Sequence, residues 1–287
     1  MNVSHSMRRD VRRRKTIHIL LVLSAFCLAA VCAFPLYWLI RGSLVSNHEL
    51  LTRPPVYFPT AFHFENYTKA IARIDFTRQL FNSVSIAIPY VLGTLVTTSF
   101  AGYAFARLRF PLRGMWFSIV ISTMMLPSAV TLLPQYSLYA SLGLANKAAL
   151  VIPAFFCAGG NAYFVFLLRQ FFLTIPLEMD EAARIDGAGY MKIFTRIMLP
   201  LIRPAMIVVG LFSFINCWNE FFYTMIYLKS QDDYTLPLGL YIVNGLKVPN
   251  YEQVLALALI VATPCLIFFF IGNRYFVEGI TLGGIKG

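Results

Sequence analysis

A short charged segment interrupts a chain whose other residues are mostly apolar. It consists of Glu181, Ala182, Ala183, Arg184, Ile185, Asp186 and Gly187, and the pair Leu199-Pro200 follows a little further on. These residue types favour a helix, and acidic groups in its first turns suit the positive end of the helix dipole. A short acidic helix with small alanines could insert into a groove on another protein. An ordinary amphipathic helix at the membrane surface is the alternative.

A second set of polar residues lies inside apolar runs. Glu220 is the one acidic residue deep within such a run. Ionisable groups are costly in a membrane and are therefore functional candidates. A hydrogen bond between helices, or an interfacial position, is the alternative role for Glu220. The candidate translocation residues are Asn216, Trp218, Asn219, Glu220, Gln135 and Asn161.

Long apolar runs must position both sets. The chain has 287 residues, of which 58% are hydrophobic and 13% are charged, whereas soluble domains have about 25% charged residues. About 20 apolar residues span a bilayer as a helix. Six runs reach that length, at residues 17–40, 81–106, 115–139, 148–168, 205–228 and 254–272. Because lipid offers the backbone no hydrogen-bond partner, the sequence predicts an all-α polytopic membrane protein with six transmembrane helices.

The predicted organisation has three parts. These are a cytoplasmic basic N-terminal tail at 1–16, a six-helix domain at 17–273 that includes the cytoplasmic loop 176–200, and a cytoplasmic C-terminal tail at 274–287. The first apolar run follows a basic tail, as in a signal peptide. It is about twice as long as the apolar part of a signal peptide, which favours a retained helix.

The distribution of basic residues predicts the orientation. The formal net charge is +11, but the Lys and Arg residues flank the apolar runs, which indicates membrane topology rather than nucleic-acid binding. With the N-terminus in the cytoplasm, sixteen of the 24 Lys and Arg residues fall on the cytoplasmic side. This bias predicts that both termini and the Glu181 segment are cytoplasmic. Two long outer segments, 41–80 and 229–253, either connect spans or contact something outside the membrane.

The local sequence predicts the shape of the charged loop. Pro176 should end the preceding helix, because proline cannot continue it comfortably. Residues 177–186 should then form a helix about 15 Å long, with Asp180 and Arg184 paired four residues apart. Gly187 should adopt positive φ and end this helix, and residues 190–198 should form a second amphipathic helix.

The charged loop resembles the cytoplasmic signature of ABC-importer permeases. Residues 181–200 fit the pattern EAA-x3-G-x9-I-x-L-P, which is the coupling loop of that family. Residues 216–222 resemble the W-N-x-F/Y segment of its carbohydrate importers. The tail 274–287 resembles that of the maltose-system second permease, and Asn82-Ser83 also fits.

The resemblance implies a fold, partners and a location. It implies the type I importer permease fold in the bacterial cytoplasmic membrane, with a second homologous permease subunit, two copies of an ABC ATPase and an extracytoplasmic solute-binding protein. Lipid would surround the chain, and nucleic acid would not bind it. The ATPase-coupling residues implied are Glu181, Ala182, Ala183, Asp186, Gly187, Leu199 and Pro200. The substrate implied is a sugar or oligosaccharide.

The chain itself shows no pattern for bound cofactors. No G-x-x-x-x-G-K-[ST] motif occurs, so we expect ATP and magnesium to be used by the partner subunits. The five cysteines lie in apolar runs without a metal-ligand spacing. An ion-coupled carrier, a permease for a non-sugar solute and a membrane-embedded enzyme are the alternatives. The enzyme would need a paired His, Ser or carboxylate set within the spans, where only Glu220 is available.

Overall fold

The computed structural model describes residues 2–158, 160–245 and 250–284, with side chains described between residues 14 and 272 of those ranges. Every regular element in these ranges is helical. The α-helices are α1 (Asn2–Leu44), α2 (Asn47–Leu51), α3 (Glu65–Ile71), α4 (Phe76–Arg107), α5 (Arg113–Ser122), α6 (Ser128–Ser141), α7 (Lys147–Val151), α8 (Ala162–Thr174), α9 (Glu178–Ile185), α10 (Tyr190–Ile193), α11 (Leu199–Leu201), α12 (Arg203–Trp218), α13 (Phe222–Tyr227), α14 (Leu236–Asn244) and α15 (Tyr251–Gly284).

Three of these helices are continuous and apolar over a length that crosses a bilayer. They are Arg14–Leu44 within α1, the whole of α4, and Tyr251–Gly272 within α15. Three helix pairs meet the same criterion when each pair is taken together across a sharp bend. These are Arg113–Met125 with α6 (102°), α8 with α9 (75°), and Tyr190–Leu201 with α12 (79°). Counting each bent pair as one span gives up to six spans, which is the number that the sequence predicts. Two of the pairs include α9 and Tyr190–Leu201, which lie outside the predicted runs 148–168 and 205–228.

The predicted third, fourth and fifth spans are broken rather than continuous. The third bends at Leu126-Pro127, where Pro127 precedes α6. The fourth consists of Lys147–Phe156 and α8, separated by a break in which Cys157 and Gly160 have positive φ. The fifth is interrupted between α12 and α13, around Glu220. Irregular backbone is tolerated at membrane depth only where protein or a water-filled cavity surrounds it, so we expect these breaks to face the interior of an assembly.

The contacts divide the chain into two units. The smaller contains Met1–Arg73 and Asn244–Ile260. Its buried centre is an ion pair in which Arg41 Nη2 lies 3.0 Å from Glu49 Oε1, and Thr60 Oγ1 donates to the other Glu49 oxygen at 2.6 Å. Asn66 donates to the carbonyls of Ser43 and Val45. These bonds fold the chain after α1 back onto its end.

The larger unit contains Ile74–Val243 and Val261–Gly287 and carries both sets of candidate residues. In it α4 packs against α8 and α12. Gly102 allows the close approach, because a Cβ there would lie 3.0 Å from Leu168 Cβ and 3.1 Å from the backbone nitrogen of Arg169. The main core follows this contact and contains Tyr103, Phe164, Leu168, Phe172, Ala183, Ile193, Phe194, Met198, Ile202, Ala205 and Val209, among others.

All five cysteines are free thiols. Cysteines within apolar runs are expected to be small buried residues, but Cys27 and Cys32 are exposed, because the rest of the chain covers little of this part of α1. The other three are partly buried. In the part of the chain that the structure describes, no three His, Cys, Asp or Glu side chains are placed to share a metal ion.

Candidate functional site

The charged loop forms a short helix with a sharply defined end. α8 stops at Thr174, before Pro176, and α9 covers Glu178–Ile185, slightly less than the range predicted. Gly187 has φ +77°, as predicted. The N–H of Gly187 donates to Arg184 O and the N–H of Ala188 donates to Ala183 O, both at 2.9 Å. This pair of bonds is a Schellman motif, which caps the helix and needs a left-handed residue at that position.

The inner face of α9 is held by a buried ion pair. Arg107 Nη1, at the end of α4, lies 3.2 Å from Asp180 Oδ2, and the two side chains are 2% and 7% exposed. Arg107 also donates to the carbonyls of Phe172, in the last turn of α8, and Ile175, which directly follows that helix. One guanidinium group therefore connects the ends of two helices to α9.

This ion pair corrects the predicted pairing of Asp180 with Arg184. Arg184 is exposed and its guanidinium lies 4.7 Å above the ring of Tyr190 instead. Burial raises the pKa of the Asp180 carboxyl above its ordinary value, while the guanidinium groups of Arg107 and Arg184 partly oppose this. Asp180 faces inward, so it pairs with a residue that is distant in sequence.

The outer face of α9 is open. Glu181, Ala182 and Asp186 are exposed, and Ile185 is 87% exposed. Ala183, by contrast, is 7% exposed and packs in the core. The structure thus places Ala183 where it seats the helix, and leaves a short surface of acidic, small and apolar side chains facing outward.

The second half of the loop turns back into the next span. Only Tyr190–Ile193 is α-helical, and Phe194–Met198 is a π-helix, so the predicted amphipathic helix at 190–198 is present with a wider last turn. Leu199 packs against the core and Pro200 is exposed at the start of α11. These two residues form the bend before α12 and are not part of the α9 surface.

Glu220 lies in the break between α12 and α13. Its Oε1 accepts a hydrogen bond of 2.8 Å from the N–H of Tyr223, and its own carbonyl accepts one from Thr224 Oγ1. The carboxylate therefore caps the helix that follows it. Asn216 is exposed on α12.

Trp218 and Asn219 face α15. Trp218 is buried, and its Nε1–H donates to Val261 O at 2.9 Å. Asn219 is exposed and its amide lies 3.9 Å from Cys265 Sγ. The burial and the hydrogen bond of Trp218 give it a packing role between α12 and α15.

The two remaining candidates lie elsewhere. Asn161 is 1% exposed and donates to Thr94 Oγ1 at 3.2 Å, which ties the start of α8 to α4, and its own Oδ1 is buried without a described partner. Gln135 is half-buried on α6. The structure therefore does not gather all six candidates at one place.

The structure instead brings together four tyrosines that the sequence analysis did not single out. This tyrosine group consists of Tyr136 and Tyr139 on α6 and Tyr223 and Tyr227 on α13. Gln135 and Glu220 lie close to its members in sequence. Two pairs of tyrosines, three and four residues apart, were the signal that could have indicated it, because such pairs share a helix face.

A polar clamp fixes the segment after α13. Asn82 is buried near the start of α4; its amide donates to the carbonyls of Asp232 and Tyr234, and its oxygen accepts from Lys147 Nζ at 2.9 Å. Three further contacts complete it: Arg78 with Asp232 at 2.6 Å, Lys147 with Asp233 at 3.0 Å, and the N–H of Leu236 with Ser83 Oγ at 2.9 Å. The clamp lies at the opposite end of α4 from Arg107.

Comparisons with known proteins agree with this arrangement. The family model described as "Binding-protein-dependent transport system inner membrane component" matches residues 95–278. The arabinooligosaccharides transport system permease protein of Halalkalibacterium halodurans is 33% identical, over 96% of this chain and 100% of that protein. The trehalose/maltose transport system permease protein of Thermococcus litoralis is 31% identical, over 98% and 100%.

A solved structure shows the same fold. A chain from the crystal structure of a bacterial ABC transporter involved in the import of the acidic polysaccharide alginate superposes with a TM-score of 0.79, covering 92% of this chain and 98% of that one. At 23% identity this likeness concerns the fold. The chain therefore belongs to the family of binding-protein-dependent transport system inner membrane components.

Proposed function

We propose that this chain is one permease subunit of an ATP-driven importer, and that its substrate is a sugar or oligosaccharide. Coupling to an ATPase is inferred from the position of α9. The Arg107–Asp180 ion pair fixes its inner side, and its outer side, which includes Ile185, is exposed. Because it is fixed to two spans, this helix can pass a displacement by a docked partner on to those spans instead of moving along the protein surface.

The docking partner proposed is an ABC ATPase, with one copy on each of two permease subunits. Glu181, Ala182, Ile185 and Asp186 would meet a groove on it, and Gly187 would end the helix so that the groove can close around it. Ala183, Leu199 and Pro200 would act by holding the loop in place. ATP and magnesium would be bound by the ATPase, whose closure would move the loops of the two subunits together.

The remaining partners follow from the family and from the exposed surface. A binding protein outside the membrane would deliver the substrate, as the family description implies. A second, homologous permease subunit and membrane lipid would cover the apolar side chains that this chain leaves exposed. We propose a heterodimer of permease subunits in the bacterial inner membrane.

The substrate class is inferred from the relatives. The two relatives named above are described as transporting arabinooligosaccharides and trehalose or maltose. A permease for a non-sugar solute, or an ion-coupled carrier, is the competing function. Midplane charges would support a carrier, and Glu220 is the only acidic residue deep in a predicted span.

The test starts from the native assembly. The tagged chain is purified from membranes of its own host, and the co-purifying subunits are identified by mass spectrometry. The complex is then placed in proteoliposomes, and ATP hydrolysis and uptake are measured with arabinooligosaccharides, maltose, trehalose and lactose. We expect an ATPase subunit and stimulation by at least one sugar. An assembly without an ATPase, or with a response only to non-sugar solutes, contradicts the proposal.

The proposed orientation places both termini and α9 in the cytoplasm. Single cysteines are introduced into a background from which the five native cysteines have been removed. Those at Lys192 and Lys286 should react only from the cytoplasmic side, and those at Thr60 and Asp233 only from outside. Lys286 lies outside the residues that the structure describes, so it tests the predicted C-terminal tail independently. Reaction of any site from the wrong side refutes the orientation.

A further inference from the structure

Three rings of the tyrosine group converge on the fourth. Tyr227 lies at its centre: its ring centroid is 5.8 Å from that of Tyr136, 5.9 Å from Tyr139 and 6.4 Å from Tyr223. The rings of Tyr223 and Tyr227 are nearly parallel, at 9°, whereas Tyr139 meets Tyr227 edge-on at 64°. Offset stacking and edge-to-face contacts are the favoured arrangements of aromatic pairs. The group is therefore a defined surface built by two helices.

The group is polar as well as aromatic. Lys229 Nζ donates to the hydroxyl of Tyr136 at 2.8 Å and lies 5.5 Å from the centre of its ring. Tyr227 is only 2% exposed, and its hydroxyl is buried without a hydrogen-bond partner among the described residues. A buried hydroxyl without a partner is costly and calls for an explanation. Tyr136, Tyr139 and Tyr223 remain partly exposed.

Two general roles for membrane tyrosines explain this less well. In an aromatic belt, tyrosines lie at the two membrane surfaces, each with its ring among the lipid headgroups. Here three of the rings pack against that of Tyr227, and Lys229 contacts the ring and hydroxyl of Tyr136. In a packing role, a buried tyrosine hydroxyl normally finds a protein partner, and the hydroxyl of Tyr227 finds none among the described residues.

A sugar ring has the complementary chemistry. It offers C–H faces that pack on aromatic rings and hydroxyl groups that accept from an ammonium group and exchange hydrogen bonds with phenols. We propose that the tyrosine group and Lys229 form a subsite that binds one sugar ring in a state of the transport cycle that exposes the Tyr227 hydroxyl, which is buried in the state described here. This inference rests on the proposed sugar-import function, and adds to it a place on this chain where substrate is held.

The first experiment removes single atoms or single rings from the reconstituted transporter. Tyr227→Phe deletes only the unpaired hydroxyl, so a purely structural role predicts an unchanged or raised melting temperature and unchanged uptake. A subsite predicts the same melting behaviour but slower uptake of the stimulating sugar, by about fivefold for one lost hydrogen bond. Tyr136→Ala should reduce uptake about two- to tenfold through loss of a ring contact.

The matched control is Tyr163→Ala. Tyr163 is a half-exposed tyrosine of α8 that contacts only Phe164 among the aromatic rings described. The Tyr163→Ala substitution should leave sugar uptake per folded complex unchanged. Normal uptake by Tyr227→Phe and Tyr136→Ala, at wild-type ATPase stimulation, overturns the subsite.

A second measurement does not depend on mutation. The wild-type transporter is treated with tetranitromethane with and without the stimulating sugar, and nitration of each tyrosine is quantified by mass spectrometry. The subsite predicts that cycling with sugar slows nitration of Tyr136, Tyr139 and Tyr223 but not of Tyr163. Equal nitration with and without sugar overturns it while sugar-stimulated ATP hydrolysis still supports the proposed function. A wild-type complex that responds to no sugar overturns both.

Discussion

Arg107 and Asp180 form a buried ion pair that joins the last turn of α4 to the loop helix α9, with Nη1 3.2 Å from Oδ2. This ion pair holds the inner face of α9 against the end of α4. The same guanidinium donates to two carbonyls at the end of α8. The position of the loop helix relative to two spans therefore depends on one side chain.

Replacing one residue of the Arg107–Asp180 ion pair should destabilise the complex more than replacing both. Arg107→Met or Asp180→Leu leaves a buried charge without its counter-ion, and each should destabilise the complex by about 3–5 kcal/mol. The double variant leaves no unpaired charge and should regain part of that loss. Thermal melting of the three purified complexes gives the comparison. A double variant whose loss equals the sum of the single losses would show that the two residues do not interact.

The Asp180 carboxyl should also make stability depend on pH. Because burial raises its pKa in the folded protein, the folded state binds a proton that the unfolded state has released between the ordinary and the raised values. The unfolding free energy should therefore increase as pH falls through that range. Asp180→Asn cannot titrate, so the difference in melting temperature between wild type and variant should shift in favour of wild type as pH falls. A constant difference contradicts the raised pKa.

Charge reversal at Glu181 should uncouple the transporter. Glu181 is exposed on the open face of α9, so Glu181→Lys should not affect folding but should place a repelled or unpaired charge at a docked interface. We expect wild-type amounts of protein in the membrane and loss of substrate-stimulated ATP hydrolysis. Glu181→Gln, which removes the charge without reversing it, is the comparison and should be impaired less. Normal substrate stimulation of ATP hydrolysis in Glu181→Lys would show that Glu181 does not contact the ATPase.

Substitution of Gly187 should be costly for reasons of backbone conformation alone. No atom lies within 4 Å of a Cβ built there, but φ is +77°. The left-handed conformation costs an L-residue about 1–2 kcal/mol, and a β-branched residue more. Gly187→Val should therefore reduce transport more than Gly187→Ala. Gly189, with equal space and φ −73°, is the control, and Gly189→Ala should be tolerated. Equal transport by both Gly187 variants would argue against this geometry being needed.

Glu220→Gln separates a capping role from a role in the substrate path. The amide oxygen can still accept the N–H of Tyr223, so the melting temperature should stay close to that of wild type. Glu220→Ala loses the cap and should cost about 1 kcal/mol. If the carboxylate contacts sugar hydroxyls, transport should fall in Glu220→Gln as well, since charged acceptors bind more strongly. Full transport by Glu220→Gln would leave the cap as its function.

Features set by the local chain could be predicted from the sequence. The stop before Pro176 and the positive φ at Gly187 follow from what proline and glycine permit, and both are present. The number of spans follows from the lengths of the apolar runs. These properties depend on a few neighbouring residues, and no distant contact overrides them.

Features set by tertiary contacts could not be predicted. Asp180 and Arg184 have the spacing of an ion pair, but α9 turns Asp180 inward to an arginine of another helix. Likewise, nothing in the local sequence distinguishes Ala183 from its neighbour Ala182. Ala183 is buried because it faces the core of the larger unit. The breaks in the third, fourth and fifth spans lie within runs that are long enough to form continuous helices, so run length alone could not locate them.

The length of α4 has a mechanical consequence. It is one uninterrupted helix of 32 residues, about 48 Å at 1.5 Å per residue. Arg107 holds the loop helix at one end, and Arg78, Asn82 and Ser83 hold the segment after α13 at the other. Pro89 lies inside this helix and removes one backbone hydrogen bond, so the helix can bend there while its length stays nearly constant. We expect a displacement of the loop helix along the axis of α4 to be transmitted to the segment after α13, which Asn82 holds at the other end.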